Sequence, residues 1–143
     1  MEQRISIVTL GVDDLARARA FYERMGWQGQ EVEETVFFQA GPSALVLWGR
    51  DKLAADSGVP DDGSGFDRVT LAQNVRSAAE VDAVVAAAAE AGASVTRQPA
   101  TTFYGGYAGV FLDPDGHAWE IAHNPGFALE SDGSLTLPDF GAA

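Results

Sequence analysis

The densest chemistry in this chain lies near its C-terminal end, in Asp113-Pro114-Asp115-Gly116-His117-Ala118-Trp119-Glu120 followed by His123. Imidazole and carboxylate groups are the common ligands of zinc, iron and manganese and the common general acids and bases. His117 and His123 lie six residues apart on one predicted strand, a span of roughly 20 Å, so they cannot share an ion. With a side-chain period of two, both histidines fall on the face of Trp119 and Ile121, and Glu120 falls on the opposite face with Ala118 and Ala122. The histidines are therefore expected to be structural, His117 capping the tight turn and His123 hydrogen-bonding near the chain's exit. Glu120 keeps two readings. It is a pocket carboxylate, serving as a general base or as partner of a cationic or hydroxylated ligand, or it forms a structural ion pair with Arg68.

Aromatic residues form a second cluster. Thr101-Thr102-Phe103-Tyr104-Gly105-Gly106-Tyr107 gathers three rings around a Gly-Gly pair, and Trp48 ends a strand-like run in the other half of the chain. Rings on a glycine-flexed loop can stack on a flat or apolar ligand, which makes Tyr104, Tyr107 and Trp48 candidate ligand contacts, with Phe103 assigned to packing. Phe21, Tyr22 and Trp119 occupy periodic positions and are expected in the core. The phosphate-binding GxxxxGK[ST], the dinucleotide GxGxxG, the GxSxG elbow and HExxH are all missing from the sequence. Zero cysteine removes thiolate metal sites, disulfides and cysteine nucleophiles together.

Nine Lys and Arg against 21 Asp and Glu leave a formal charge of −12. Such a field repels phosphate backbones and anionic membranes, and no cluster of basic residues opposes it locally. Neither nucleic acid nor membrane is an expected partner. The longest apolar stretch, from Val81 to Ala91, is broken by Asp82 and Glu90 and is about half the ~20 residues of a membrane span. The N-terminal residues run directly into a strand-like pattern instead of a basic segment followed by an apolar one, so the expected location is the cytoplasm.

The elements that must position these groups repeat. Arg4 to Val12 alternates as a strand does, Asp13-Asp14 offers a capping carboxylate, and Leu15, Ala18, Tyr22 and Met25 form a helical stripe ending at Gly26. Strand-like runs follow at Trp27 to Glu33, Thr35 to Ala40 and Ser43 to Trp48. The order begins again with a strand at Arg68 to Gln73, a capping box at Ser77-x-x-Glu80, an alanine-rich helix ending at Gly92, and strands at Ala93 to Arg97, Tyr107 to Leu112 and His117 to His123. The Thr9-Leu10 and Thr70-Leu71 pairs stand 61 residues apart, which reads as an internal duplication. The predicted class is α+β: two βαβββ modules, residues 4–50 and 66–125, forming a curved mixed sheet with a cleft and helices on its outer face. Asp51 to Gly65 reads as a surface linker, and the tail, residues 126–143, carries too many apolar groups to be wholly solvated.

Val12-Asp13-Asp14-Leu15, Ala20-Phe21-Tyr22 and Gly26-Trp27, then DPDGHAWE at residues 113–120, set in paired βαβββ units, resemble the vicinal oxygen chelate superfamily. That superfamily contains glyoxalase I, extradiol dioxygenases, fosfomycin-resistance enzymes and bleomycin-binding proteins. The resemblance spans about Arg4 to Pro125. In metal-dependent relatives each half gives two ligands to a cleft formed by the curved sheet. Here the resemblance puts those positions at Ile7, near Arg68, near Val46 and at Glu120, so one potential ligand remains of four. A site needs three or four N or O donors. The resemblance thus implies a metal-free protein without cofactor that binds a small aromatic or amphipathic molecule, with Ile7, Val46, Trp48, Arg68, Tyr104, Tyr107 and Glu120 about the ligand. The alternative is a lyase, isomerase or dioxygenase that uses a divalent metal, or Glu120 as base. The resemblance and the apolar tail also imply a homodimer.

Overall fold

Helix starts and stops follow the capping chemistry of the sequence. In the computed structural model, which describes residues 1, 3, 5–63, 65–67 and 69–140, Asp14 caps α1 (Leu15–Arg24) by accepting from the Arg17 amide at 3.0 Å. Ser77 caps α3 (Ala78–Ala91) by accepting from Glu80 N at 3.1 Å. The Glu80 carboxylate reaches back to the Arg76 amide at 2.8 Å, one residue earlier than an ideal capping box. Gly92 ends α3 at φ +116°, a left-handed conformation that glycine adopts at no steric cost.

Two four-stranded sheets share one topology. The first contains β1 (Ile7–Val12), β2 (Gly29–Val32), β3 (Thr35–Ala40) and β4 (Ser43–Gly49) in the order β1-β4-β3-β2. The second contains β5 (Thr70–Asn74), β6 (Ser94–Thr101), β7 (Tyr107–Leu112) and β8 (Ala118–His123) in the order β5-β8-β7-β6. In each sheet the first and last strands pair in parallel and the other pairs are antiparallel. The α+β class and the two βαβββ modules are as the sequence predicts. Leu10 pairs with Leu47 and Leu71 with Trp119, so the two Thr-Leu segments hold the same place in their ladders. The duplication is a property of the fold.

Period-two alternation decides which face each helix covers. In the first sheet Leu10, Val12, Val36, Phe38, Leu45 and Leu47 are buried together with Ala18, Phe21 and Tyr22 of α1. In the second, Phe111, Trp119 and Ile121 are buried with Val81, Val85 and Ala88 of α3. Phe21, Tyr22 and Trp119 thus occupy the core expected of them. At roughly 1.5–3 kcal/mol per large apolar side chain removed from water, these two sets supply the main driving force for each half.

The chain divides into two units, Met1–Arg68 with Asp113–His117, and Val69–Leu112 with Ala118–Ala143. The turn between β7 and β8 therefore groups with the first unit. Two expectations need correction. The stretch read as a surface linker without strand periodicity opens with a helix, α2 (Arg50–Ser57), closed by Gly58 at φ +70°. Its apolar periodicity is weak, so its helical nature was illegible. Second, β6 extends to Thr101, four residues beyond the predicted strand, because it passes through two bulges that break the alternation. The tail folds back on itself, with a Leu129–Leu135 bridge and Arg76 Nη2 donating to Glu130 O at 2.8 Å. Among the described residues no helix is long and apolar enough to cross a membrane.

Candidate functional site

On the face of the first sheet turned away from α1, alternation places Ile7, Thr9 and Gly11 of β1 beside Ala44, Val46 and Trp48 of β4 and Phe37 and Gln39 of β3. Ile7 is 54% exposed, Val46 only 4%, Phe37 39%, and Trp48 half-buried. The start of α2 covers the end of this face, since a Cβ on Gly11 would lie 2.9 Å from Arg50 Cβ. Three expected contacts, Ile7, Val46 and Trp48, therefore share one apolar surface. Phe37, opposite Val46 in the ladder, belongs with them. The alternation in Thr35-Val36-Phe37-Phe38 was the signal that could have found it, because Val36 and Phe38 take the core side.

Glu120 lies on the face of the second sheet turned away from α3, opposite Ala72 and Val110. Its Oε2 accepts from Arg97 Nη2 at 3.1 Å, with the two side chains 33% and 54% exposed respectively. Arg68, the partner expected from the sequence, lies outside the described residues. Arg97 was missed because its orientation depends on a β-bulge, for which the sequence carries no periodic signal. With the two Thr-Leu pairs aligned, the first-sheet position equivalent to Glu120 is Trp48, two residues beyond Val46 on the same face.

Tyr107 requires a correction. It pairs with His123 and alternates with Gly109 and Phe111, which puts it on the α3 side and not beside Glu120. Its hydroxyl donates to Asp82 Oδ1 of α3 at 2.7 Å, and that hydrogen bond, with burial and the Asp82 charge, raises its pKa. Tyr104 sits in a closed hairpin loop in which Thr102 N donates to Gly106 O at 3.0 Å and Gly106 N to Thr102 Oγ1 at 2.9 Å. Gly106 is packed, since an added Cβ would lie 2.5 Å from the Tyr104 ring and 2.7 Å from His123 O. The Gly-Gly pair is therefore a tight turn and does not act as a hinge. Tyr104 is partly exposed and Phe103 fully exposed, so Phe103 does not have the packing role assigned to it.

The DPDGH segment builds a third constellation, inside the first unit. Asp113 has no exposed side-chain surface, yet Oδ2 accepts from Tyr22 OH at 2.7 Å and lies 2.8 Å from His117 Nδ1. Oδ1 accepts from the amides of Asp115 at 2.9 Å and His117 at 2.8 Å. Burial pushes the Asp113 carboxyl up, but the hydrogen bond and charge of His117, together with Tyr22 and the His117 amide, outweigh it and hold the pKa below 3.8. His117 is likewise pushed down by burial, but Asp113, then Asp115 and Asp67, raise it above 6.5. Asp115 Oδ1 accepts from Asp13 N at 2.8 Å and from Arg17 Nη2 at 3.0 Å. These contacts order a turn. His117 has the turn-capping role predicted for it, and His123 Nδ1 lies 3.2 Å from Val75 O.

A shallow groove of about 630 Å³ opens elsewhere, lined by Gly26, Trp27, Gln28, Gly29, Gln30 and Gln39. It contains none of the predicted site residues. A metal at the positions implied by the resemblance does not fit the donors present: Ile7, Val46 and the ladder-equivalent Trp48 offer none, and Glu120 is engaged by Arg97. Among the described residues no group of three or more His, Asp or Glu side chains has the arrangement to hold an ion.

Residues 4–121 match the model of the Glyoxalase/Bleomycin resistance protein/Dioxygenase superfamily. This chain belongs to that superfamily. A structure described as a glyoxalase-related enzyme from Fulvimarina pelagi is 35% identical, with TM-score 0.86 over 95% of this chain and 99% of that one. The same superfamily fold recurs at 23% identity in a glyoxalase/bleomycin resistance protein/dioxygenase family enzyme from Burkholderia phytofirmans, with TM-score 0.73 over 82% of this chain and 96% of that one. Lactoylglutathione lyase from Agrobacterium tumefaciens, also 23% identical, gives TM-score 0.65 over 86% and 95%. No curated protein matches. Within the superfamily a shared fold is compatible with many chemistries, so function must be argued from the faces just described.

Proposed function

We propose that this superfamily member binds a small aromatic or amphipathic molecule without a resident metal, as a binding protein and not a metal-dependent lyase or dioxygenase. The observation that carries the reading is the apolar far face of the first sheet. The side chains at and around the superfamily's ligand positions there are Ile7, Val46, Phe37 and Trp48; Ile7, Phe37 and Trp48 offer contact area to a ring, and none of the four offers a ligand atom to a cation.

The test uses 2-naphthol as an uncharged aromatic probe, in equilibrium dialysis against chelator-treated protein. Saturable one-to-one binding is expected, unchanged by added zinc, nickel or manganese and weakened about tenfold by Trp48→Ala or Phe37→Ala, the loss of one good aromatic contact. Melting curves recorded with each metal should superimpose, because an ion that bound only the native state would raise the midpoint by mass action. One equivalent of metal retained after dialysis, with a rise of several degrees, would overturn the reading.

A further inference from the structure

Arg97 is the residue through which the second sheet speaks to ligand chemistry, and its position results from a distortion of the strand. Val95 pairs with Phe111 and Arg97 with Val110, so β6 advances two residues while β7 advances one. The extra residue is Thr96. Regular pairing would have put Thr96 opposite Val110 and Arg97 opposite Gly109, on the α3 side among buried apolar groups. The bulge turns the guanidinium to the far face, where Glu120 stands opposite Val110. A second bulge follows before Ala100 and Ala108 pair, and it is occupied by Pro99, which packs so closely on Gly109 that a Cβ there would lie 2.9 Å from Pro99 Cγ. Proline lacks the N–H that a regular ladder needs and is confined in sheets to edges and bulges. β6 is an edge strand. Two irregularities thus bracket Arg97 and fix its direction.

The surroundings of the pair are small. Glu120 is flanked along β8 by Ala118 and Ala122 and across the sheet by Ala72 and Val110. Only Nη2 of Arg97 is used, in one bond to Glu120, and among the described residues no other partner takes its Nε or Nη1. A guanidinium presents its donors in a planar fork that matches a carboxylate bidentately. In a chain of charge −12 an exposed guanidinium gives an anion a local point of attraction.

We infer that the far face of the second sheet binds an acid: a small molecule bearing a carboxylate, which Arg97 anchors through the donors not used by Glu120. This goes beyond the aromatic reading of the first sheet and stands on the second unit by itself. Glu120 then competes with the ligand electrostatically, since two carboxylates would share one guanidinium.

That competition gives the test an unusual sign. Benzoate, benzylamine and benzyl alcohol are titrated at constant ionic strength into uniformly ¹⁵N-labelled protein, following the Nε–H resonances of the chain's eight arginines. Benzoate should shift the Arg97 resonance saturably, and benzylamine should not. Arg97→Gln should weaken benzoate at least tenfold, and Arg97→Lys, which keeps the charge but loses the fork, by several-fold. Glu120→Gln should tighten it, because the competing carboxylate is gone. Benzoate binding unchanged in both Arg97 variants, or weakened in Glu120→Gln, overturns the inference, as does a preference for benzylamine. Benzyl alcohol reports separately on the aromatic face: if it leaves the Trp48 indole resonance unmoved while benzoate still shifts Arg97, the apolar reading fails and the anion site stands.

Discussion

Burying the Asp113 carboxylate is costly, and four donors compensate it: Tyr22 OH, the His117 ring and two amides. Removing the Tyr22 hydroxyl leaves a buried carboxylate one donor short, so Tyr22→Phe should cost about 1.5–3 kcal/mol, the range for hydrogen bonds to charged groups, measured by chemical denaturation. The pH dependence has a defined window. His117 has a folded pKa raised above 6.5, so its contribution is complete below that value and is lost as pH rises through the folded pKa. Asp113 has a folded pKa lowered below 3.8, so its contribution is present above 3.8 and is lost as pH falls through the folded value. The stability difference between the wild type and His117→Asn should therefore be largest between these limits and shrink as the pH rises through the raised His117 value. A difference that grows toward alkaline pH would contradict the coupling. The residue types of this cluster were plain in the sequence, but Tyr22 and Asp113 stand 91 positions apart, and nothing local in either segment announces the other.

At the scale of elements, β6 is where alternation and outcome part. A sequence reader counts by twos and ends the strand at Arg97; the chain inserts two extra residues and continues to Thr101. Gly109 is what permits this, because its missing side chain is the space in which Pro99 sits. Gly109→Ala should therefore overpack the contact and destabilise the protein by about 1–3 kcal/mol, while moving the Arg97 Nε resonance of the folded protein. An unaltered melting point and an unaltered Arg97 signal would show that the bulge does not depend on this packing. α2 gives the contrary case, an element the sequence hid because its residues form no apolar stripe, while its capping Gly58 was visible only as one of many glycines in a polar stretch.

At the scale of the whole molecule, the charge of −12 opposes the association that the exposed apolar groups favour. Leu135, Leu137 and Phe140 stay exposed after the tail has folded back, as do Ile5 and Ile7 at an edge strand. A homodimer is the expected state, and its self-repulsion should make it salt-dependent: sedimentation at micromolar concentration should show a larger dimer fraction as sodium chloride rises and the charges are screened. A species of 15.1 kDa alone at every salt concentration would exclude the dimer.

What the sequence determined by itself is what short-range physics encodes: caps at Asp14 and Ser77, core faces set by periods of two and 3.6, the turn at Asp113–His117, and a duplicated order of elements. From these came the α+β class, and the family came from the resemblance carried by the motifs at residues 12–27 and 113–120. What only the tertiary structure decided is which groups meet. Glu120 was correctly set apart from His117 and His123 by alternation, whereas its partnership with Arg97 required the bulge at Thr96, which a second bulge with Pro99 packed on Gly109 follows. Tyr107 went to α3 and not to the far face because its ladder position opposite His123 fixes its side of the sheet. Register and bulges depend on contacts between strands distant along the chain, so a window of neighbouring residues carries no record of them.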